Sequence, residues 1–534
     1  MLSAQDGSGV QRRYRDQRRR PGTRAVQTPN TKHQTPEKHQ ASNTKYPDRT
    51  DLRFGVWSFS GVWCLVFGVL ATGPLQAAFG EPVEKLYNET LRPQFHFTAK
   101  KGWLNDPNGL VFYKGDYHLF FQHIPVPGTV GGQIWGHAVS RDLVHWEQLA
   151  NAIDRDRHGP IWSGSAVVDW QNTAGLAKGS DKTLIAIYTC AGGQSPESKG
   201  EPFTQCLAYS NDRGRSWTKY ENNPVLQQIT SENRDPKVIW YEPTHKWILV
   251  LYKTGHTFGL FSSPDLKTWS PLHDLEIPDG AECPDIFEMP LNGKASDRRW
   301  IITSANGRYT IGQFDGAKFT KESGPHRVDW GKNFYAVQTF SDIPKNDGRR
   351  IQIAWMAWAK YPNMPFDQQM SFPCELTLHS FPEGPRICRQ PVKEIALLHC
   401  AKHSSKNQVL RPGDNLLAGL NGELFDIQAE IDLDQAAEIG FKLRGEDVRY
   451  SVVEQKLSCL GQSAPINSVA NHLKLRILLD RTSLEVFAND GRASLSSCFV
   501  PDPSNRSLAI YARAGPCRVR SLSVWELRSA WAKN

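Results

Sequence analysis

Three short acidic stretches carry the residues best suited to chemistry: Trp103-Leu104-Asn105-Asp106-Pro107-Asn108-Gly109, Arg234-Asp235-Pro236 and Glu282-Cys283-Pro284-Asp285. Each sets a carboxylate beside a proline and runs into an apolar segment, respectively Leu110-Val111-Phe112-Tyr113, Lys237-Val238-Ile239-Trp240 and Ile286-Phe287. Pro107 biases Asp106 towards extended backbone, and Asn108-Gly109 is strong turn chemistry, so Asp106 is expected at the mouth of a strand. Any one such acid, taken alone, reads equally well as a turn former or strand cap. Three in equivalent positions are harder to dismiss. Carboxylates crowded into one space repel each other and lose water, so their pKa values separate and one stays protonated. Hydrolysis of a glycosidic bond needs that division, with one acid to protonate the leaving oxygen and one carboxylate to attack or to activate water. Arg234, beside Asp235, is expected to keep that carboxylate ionised and aimed at sugar hydroxyls.

The elements that must bring these residues together are strands. Helical periodicity is scarce, and short strands bounded by Gly, Pro, Asn and Asp recur throughout, which makes the chain all-β. Ser140-Arg141-Asp142-Leu143-Val144-His145-Trp146 returns as Ser210 to Trp217 and as Ser263 to Trp269. Each copy offers an Asp to fold back onto turn amides and a Trp to plug the next layer. A repeat of roughly this length marks a propeller of four-stranded blades. Apolar second strands at Tyr117–Phe121, Leu184–Tyr188, Trp247–Leu251, Trp300–Ile302 and Ile351–Trp355 predict five blades within residues 90–395. The innermost strands then begin near Asp106, Ser163, Asp235, Glu282 with Asp285, and Tyr335, and their starts converge on one end of the axial channel. From Glu423 onward plain alternation, as in Leu424–Ile431 and Leu473–Leu479, and the hairpin signal Asn489-Asp490-Gly491 predict a β-sandwich over 405–534.

Composition removes other classes. The formal charge is +8, but residues 1–53 hold twelve Lys and Arg against five Asp and Glu. The rest is close to neutral, with no basic stripe for nucleic acid. The 1–53 segment is expected to be disordered. Residues 54–78 contain an uncharged run, Phe54 to Thr72, followed by small residues, the layout of a secretory signal or, uncleaved, of a membrane anchor. Export of the chain is the expectation. The 17 Trp supply flat faces that suit sugar rings as well as core. The ten Cys show no metal-ligand spacing, so no metal is expected, and disulfides cannot be paired from sequence.

With Trp162-Ser163-Gly164-Ser165-Ala166 added, the acidic stretches resemble the successive motifs of glycoside hydrolase family 32, the β-fructosidases (invertases, inulinases, levanases). The resemblance covers roughly residues 92 to 530, including Asp480-Arg481-Thr482-Ser483-Leu484-Glu485-Val486-Phe487. It implies a five-bladed β-propeller followed by a C-terminal β-sandwich, a retaining mechanism and no cofactor. It implies Asp106 as nucleophile, Glu282 as acid/base and Asp235 as the acid that holds fructose hydroxyls. Asn105, Gln122, Trp162, Ser163, Arg234, Tyr335 and Trp355 match substrate-binding positions of the family.

The pattern is broken at Val130 and Trp162, where a pocket Trp and a Phe are usual, and at Asn333 and Cys374, which stand for Asp and Arg. These departures bear on the substrate beyond the first fructosyl unit rather than on the reaction. The expected partner is a carbohydrate, sucrose or a fructan, with no membrane partner unless residues 54–72 persist as an anchor. A fructosyltransferase with the same acids and an inactive fructan-binding protein are the alternatives. A sialidase, suggested by Ser210 to Trp217, lacks the Arg cluster it would need.

Overall fold

The structure, a computed structural model, describes residues 86–532. The expectations for 1–53 and 54–78 lie outside the described residues. The first part of the described chain is a ring of five antiparallel blades, of which the fourth and fifth are joined into one eight-stranded sheet by a parallel pairing of Leu291 with Leu378. The inner strands are Gly102–Tyr113, Ile161–Asp169, Arg234–Tyr241, Asp285–Leu291 and Tyr335–Thr339, and each is followed by its own second, third and fourth strands.

The hydrophobic runs are continuous because every blade is covered on both faces, and alternate residues go to opposite neighbours. Trp247, Leu249 and Leu251 pack with Ile185, Ile187 and Leu207 of blade 2. The intervening Ile248 and Val250 pack with Ile286 and Ile302 of blade 4. Blade 5 meets blade 1 through Ile351 and Ile353 against Leu110, Leu119 and Phe121, a layer that also takes in Phe95 and Phe97. The ring is closed by hydrogen bonds rather than by a shared strand: Phe112 N–H donates to Ser341 O, Ser341 N–H donates to Leu110 O, and Phe366 pairs in parallel with Gly102.

The repeated Ser/Asp/Trp element caps the outer ends of blades 1 to 3. Asp142 accepts from the amides of Val144 and His145, Asp212 from that of Ser216, and Asp265 from those of Lys267 and Thr268. The Trp indoles at 146, 217 and 269 each donate back to a carbonyl three residues earlier. Blade 4 carries a reduced fourth copy that sequence reading missed, Asp315 to Phe319, where Asp315 accepts from Ala317 and Lys318.

One expected turn is absent. Asn108-Gly109 does not reverse the chain but lies inside the inner strand of blade 1, where the ladder with the second strand is interrupted between Leu104 and Pro107 and again between Asn108 and Val111. Gly109 has φ +53, and a Cβ there would come within 2.6 Å of the Phe120 ring. The left-handed residue is therefore used for a bulge, which redirects side chains without ending the strand. Asn108 is buried and donates to Asp106 O while accepting from Gly164 N–H, tying blade 1 to blade 2.

From His399 the chain forms two sheets, of six and five strands, packed face to face. Phe425, Ile427, Ala429 and Ile431 alternate into the shared core with Leu473, Leu475, Ile477 and Leu479. Leu478 and Phe487 point the other way, into the layer between blades 5 and 1. The sandwich is also held by buried charges. His96 lies between Asp480 (2.7 Å) and Glu485 (2.9 Å), and Arg389 lies between Glu485 and Asp329. Cys190 and Cys206, on neighbouring strands of blade 2, form a disulfide.

Candidate active site

The starts of the five inner strands meet, and the three acids meet with them. Asp106, Asp235 and Glu282 are 8%, 3% and 6% exposed, open to the channel but largely shielded. Ser163 Oγ donates to Asp106 Oδ2 at 2.6 Å, Gln122 Nε2 lies 3.3 Å from the same oxygen, and Asn105 Nδ2 donates to Oδ1 at 3.1 Å. Trp103 Nε1 in turn donates to Asn105. Blades 1 and 2 thus fix the Asp106 carboxylate from both sides.

Asp235 is linked to Asp106 through Cys283. The Cys283 thiol lies 3.4 Å from Asp106 Oδ2 and 3.3 Å from Asp235 Oδ2, and the Cys283 amide donates to Asp235 at 3.2 Å. The Asp235 amide donates to Thr189 Oγ1 at 2.9 Å. Asp235, Cys283 and Ala336 have φ of +63, +51 and +49. Non-glycine residues in that region cost on the order of 1–3 kcal/mol each and gather where a site is held in a fixed geometry.

Glu282 is clasped by a guanidinium and a phenol. Arg234 reaches its Oε2 at 2.6–2.8 Å, and Tyr335 Oη donates to Oε1 at 3.1 Å. The arginine expected to pair with Asp235 therefore pairs mainly with Glu282, and its nitrogen stays 3.7 Å from Asp235. Neighbours on a strand point to opposite faces, and the Arg234 guanidinium lies over the Tyr252 ring at 4.4 Å on its way to Glu282. Burial works against the Arg234 charge, but Asp235 and Glu282 outweigh it and raise its pKa. Burial, reinforced by Glu282 and the other acids, raises the Tyr335 pKa, so its hydroxyl remains a proton donor.

The other expected positions surround this centre. Trp162 opens the inner strand of blade 2 and packs edge-on against Phe203 at 5.1 Å. Trp355 donates its indole N–H to Gln368 and meets Trp103 and Tyr335 at 6.2 and 6.4 Å. Trp358, 60% exposed, extends the aromatic wall from Tyr335 and Trp355.

Asp285 is structural, since it is fully buried, accepts from Thr339 N–H and faces Lys237. Asn333 ties the propeller to Cys498 N–H of the sandwich, Cys374 is buried, and Val130 is 75% exposed on the loop after Gln122. Thr189, Cys283 and Trp358 escaped the sequence reading. Thr189 carried a weak signal, as a polar residue in an otherwise apolar strand. Among the described residues no group of three or more His, Cys, Asp or Glu could hold a metal ion.

The profile of the glycosyl hydrolases family 32 N-terminal domain matches residues 96–391, and that of the family 32 C terminal matches 394–526. This chain belongs to glycosyl hydrolase family 32. A relative within the family, the levanase of Bacillus subtilis (strain 168), is 39% identical over 83% of this chain and 72% of its own length. The levanase of Bacillus sp. (strain L7) is 36% identical over 88% of this chain, which spans 56% of that protein. Among family 32 structures, exo-inulinase from Aspergillus awamori aligns with a TM-score of 0.74 at 27% identity, covering 83% of this chain and all of that one. The β-fructofuranosidase from Schwanniomyces occidentalis complexed with fructosyl-erythritol aligns with a TM-score of 0.74 at 26% identity, covering 84% of this chain and all of that one.

Proposed function

We propose that this family 32 enzyme releases fructose from β-D-fructofuranosides, with sucrose, inulin and levan as its substrate class, through a covalent fructosyl-enzyme intermediate. One observation carries the reading: acids from three different blades share one small space, Asp106 and Asp235 on a common thiol and Glu282 between Arg234 and Tyr335. Asp106 attacks the anomeric carbon while Glu282 delivers a proton to the departing oxygen. Glu282 then takes a proton from water, whose oxygen displaces Asp106 and frees fructose with its anomeric configuration retained. Asp235 receives fructose hydroxyls, and Asn105, Gln122, Ser163, Arg234 and Tyr335 hold the carboxylates in register. Trp162 and Trp355 wall the pocket. The levanases named above and the exo-inulinase of Aspergillus awamori, an extracellular protein, support fructan as substrate and a place of action outside the cell.

Asp106→Asn and Glu282→Gln should each lower fructose release by on the order of a thousandfold or more while leaving the melting temperature within a few degrees. Release at near-normal rate by either variant would overturn the assignment. Proton NMR during turnover should show the β-anomer of fructose appearing first, and the α-anomer first would exclude a retaining enzyme. The product profile with sucrose alone separates water from sugar as acceptor.

A further inference from the structure

A cleft of about 290 Å³ lies where blades 4 and 5 meet the sandwich, lined by Tyr309, His326, Arg327, Trp330, Arg386 and Arg492 among others. Its charge is one-sided. Arg492 is paired with Glu383, the only carboxylate in the lining. Among the described residues no carboxylate lies in ion-pair contact with Arg327 or Arg386. Among the described residues the Arg386 side chain donates to its neighbour's carbonyl, Pro385 O, and Arg327 donates Nε–H to the backbone oxygen of Asp329. The Asp329 carboxylate is itself committed to Arg389, Ser494 and Ser496.

Three guanidiniums, Arg327, Arg386 and Arg492, share one lining carboxylate, Glu383, and like charges held together raise one another's energy, which an anion entering between them lowers. Burial, then the Arg386 and Lys321 charges, lowers the His326 pKa to about 4, and burial with Arg308, against Asp329, lowers that of Arg327. Guanidinium forks suit tetrahedral oxyanions, which accept two parallel N–H bonds. We propose that this cleft is a binding site for a small tetrahedral oxyanion, phosphate or sulfate, held between Arg327 and Arg386 with His326 as a third donor. The site is separate from the carboxylate centre and independent of the reaction proposed for it.

The test uses the full chain and inorganic phosphate or sulfate, with sodium chloride matched in ionic strength as control. Phosphate should raise the melting temperature saturably at millimolar concentration, and the Arg386→Gln variant should lose that response while keeping its fructose release. Histidine NMR, with His326 assigned by its loss in His326→Gln, should show the His326 pKa rising by at least one unit when phosphate binds the wild-type protein. This second arm requires no arginine variant to fold. A phosphate response equal to that of chloride, one unchanged by Arg386→Gln, or a His326 titration insensitive to phosphate would each overturn the proposal.

Discussion

Thr189 helps to hold Asp235, because its hydroxyl is the acceptor for the Asp235 amide in a fully buried strand. Thr189→Ala removes the hydroxyl that accepts from the Asp235 amide and donates to Gln205 Oε1, at about 1–3 kcal/mol, and Thr189→Ser should restore most of it. The measurement is a urea midpoint alongside KM for sucrose, both of which should worsen in the alanine variant and recover in the serine one. The acids were legible because proline and a following strand gave each the same local signature. Their hydrogen-bond partners were not, since Ser163 and Cys283 meet Asp106 only after the chain has gone round part of the ring. Arg234 shows the limit of adjacency: sequence placed it beside Asp235, but the side chain extends to a residue 48 positions away.

The repeated Asp/Trp turn shows the same logic at the level of the element. It was readable because its function is local: Asp265 satisfies two amides within three residues, whatever the rest of the fold does. Asp265→Ala should therefore cost about 1–2 kcal/mol, seen as a lower urea midpoint with turnover per folded molecule unchanged. The copy at Asp315 went unnoticed because Phe319 stands in place of Trp and no Ser precedes the Asp. The Asn108-Gly109 bulge was misread for the opposite reason. Its local chemistry fits a turn, but the space is set by Phe120 and by Gly164 of the next blade. Strand identity follows from alternation, but the direction a bulge gives a carboxylate depends on partners far off in sequence.

For the whole molecule, stability depends on pH in two opposed ways, one set where the sandwich docks on the propeller and the other inside blade 1. Burial alone would lower the His96 pKa, but Asp480 and Glu485 raise it from 6.5 to about 9. Its contribution is complete below 6.5 and is lost as pH rises to about 9. Burial lowers the His118 pKa to about 4, and the neighbouring His137 is also held well below its ordinary value. That pair contributes fully above 6.5 and destabilises progressively as pH falls towards 4. Melting temperature against pH should peak near 6.5, and His96→Gln should lower the peak and flatten the alkaline limb. An alkaline limb unchanged in His96→Gln would remove His96 from this role. The two-part architecture was legible from the switch from blade repeats to plain alternation, but the charges that join the parts were not, because His96 and Glu485 are 389 residues apart.

The ring closes without a shared strand, on a few hydrogen bonds between Leu110, Phe112 and Ser341. Asp106 is laid down early in the ring and Tyr335 late, so during synthesis this carboxylate waits through four further blades for its surroundings. A chain stopped short of blade 5 contains all three acids but not Tyr335, the phenol that holds Glu282. Catalytic competence thus marks completion of the circle, and on denaturant titration activity and blade structure should disappear at one midpoint.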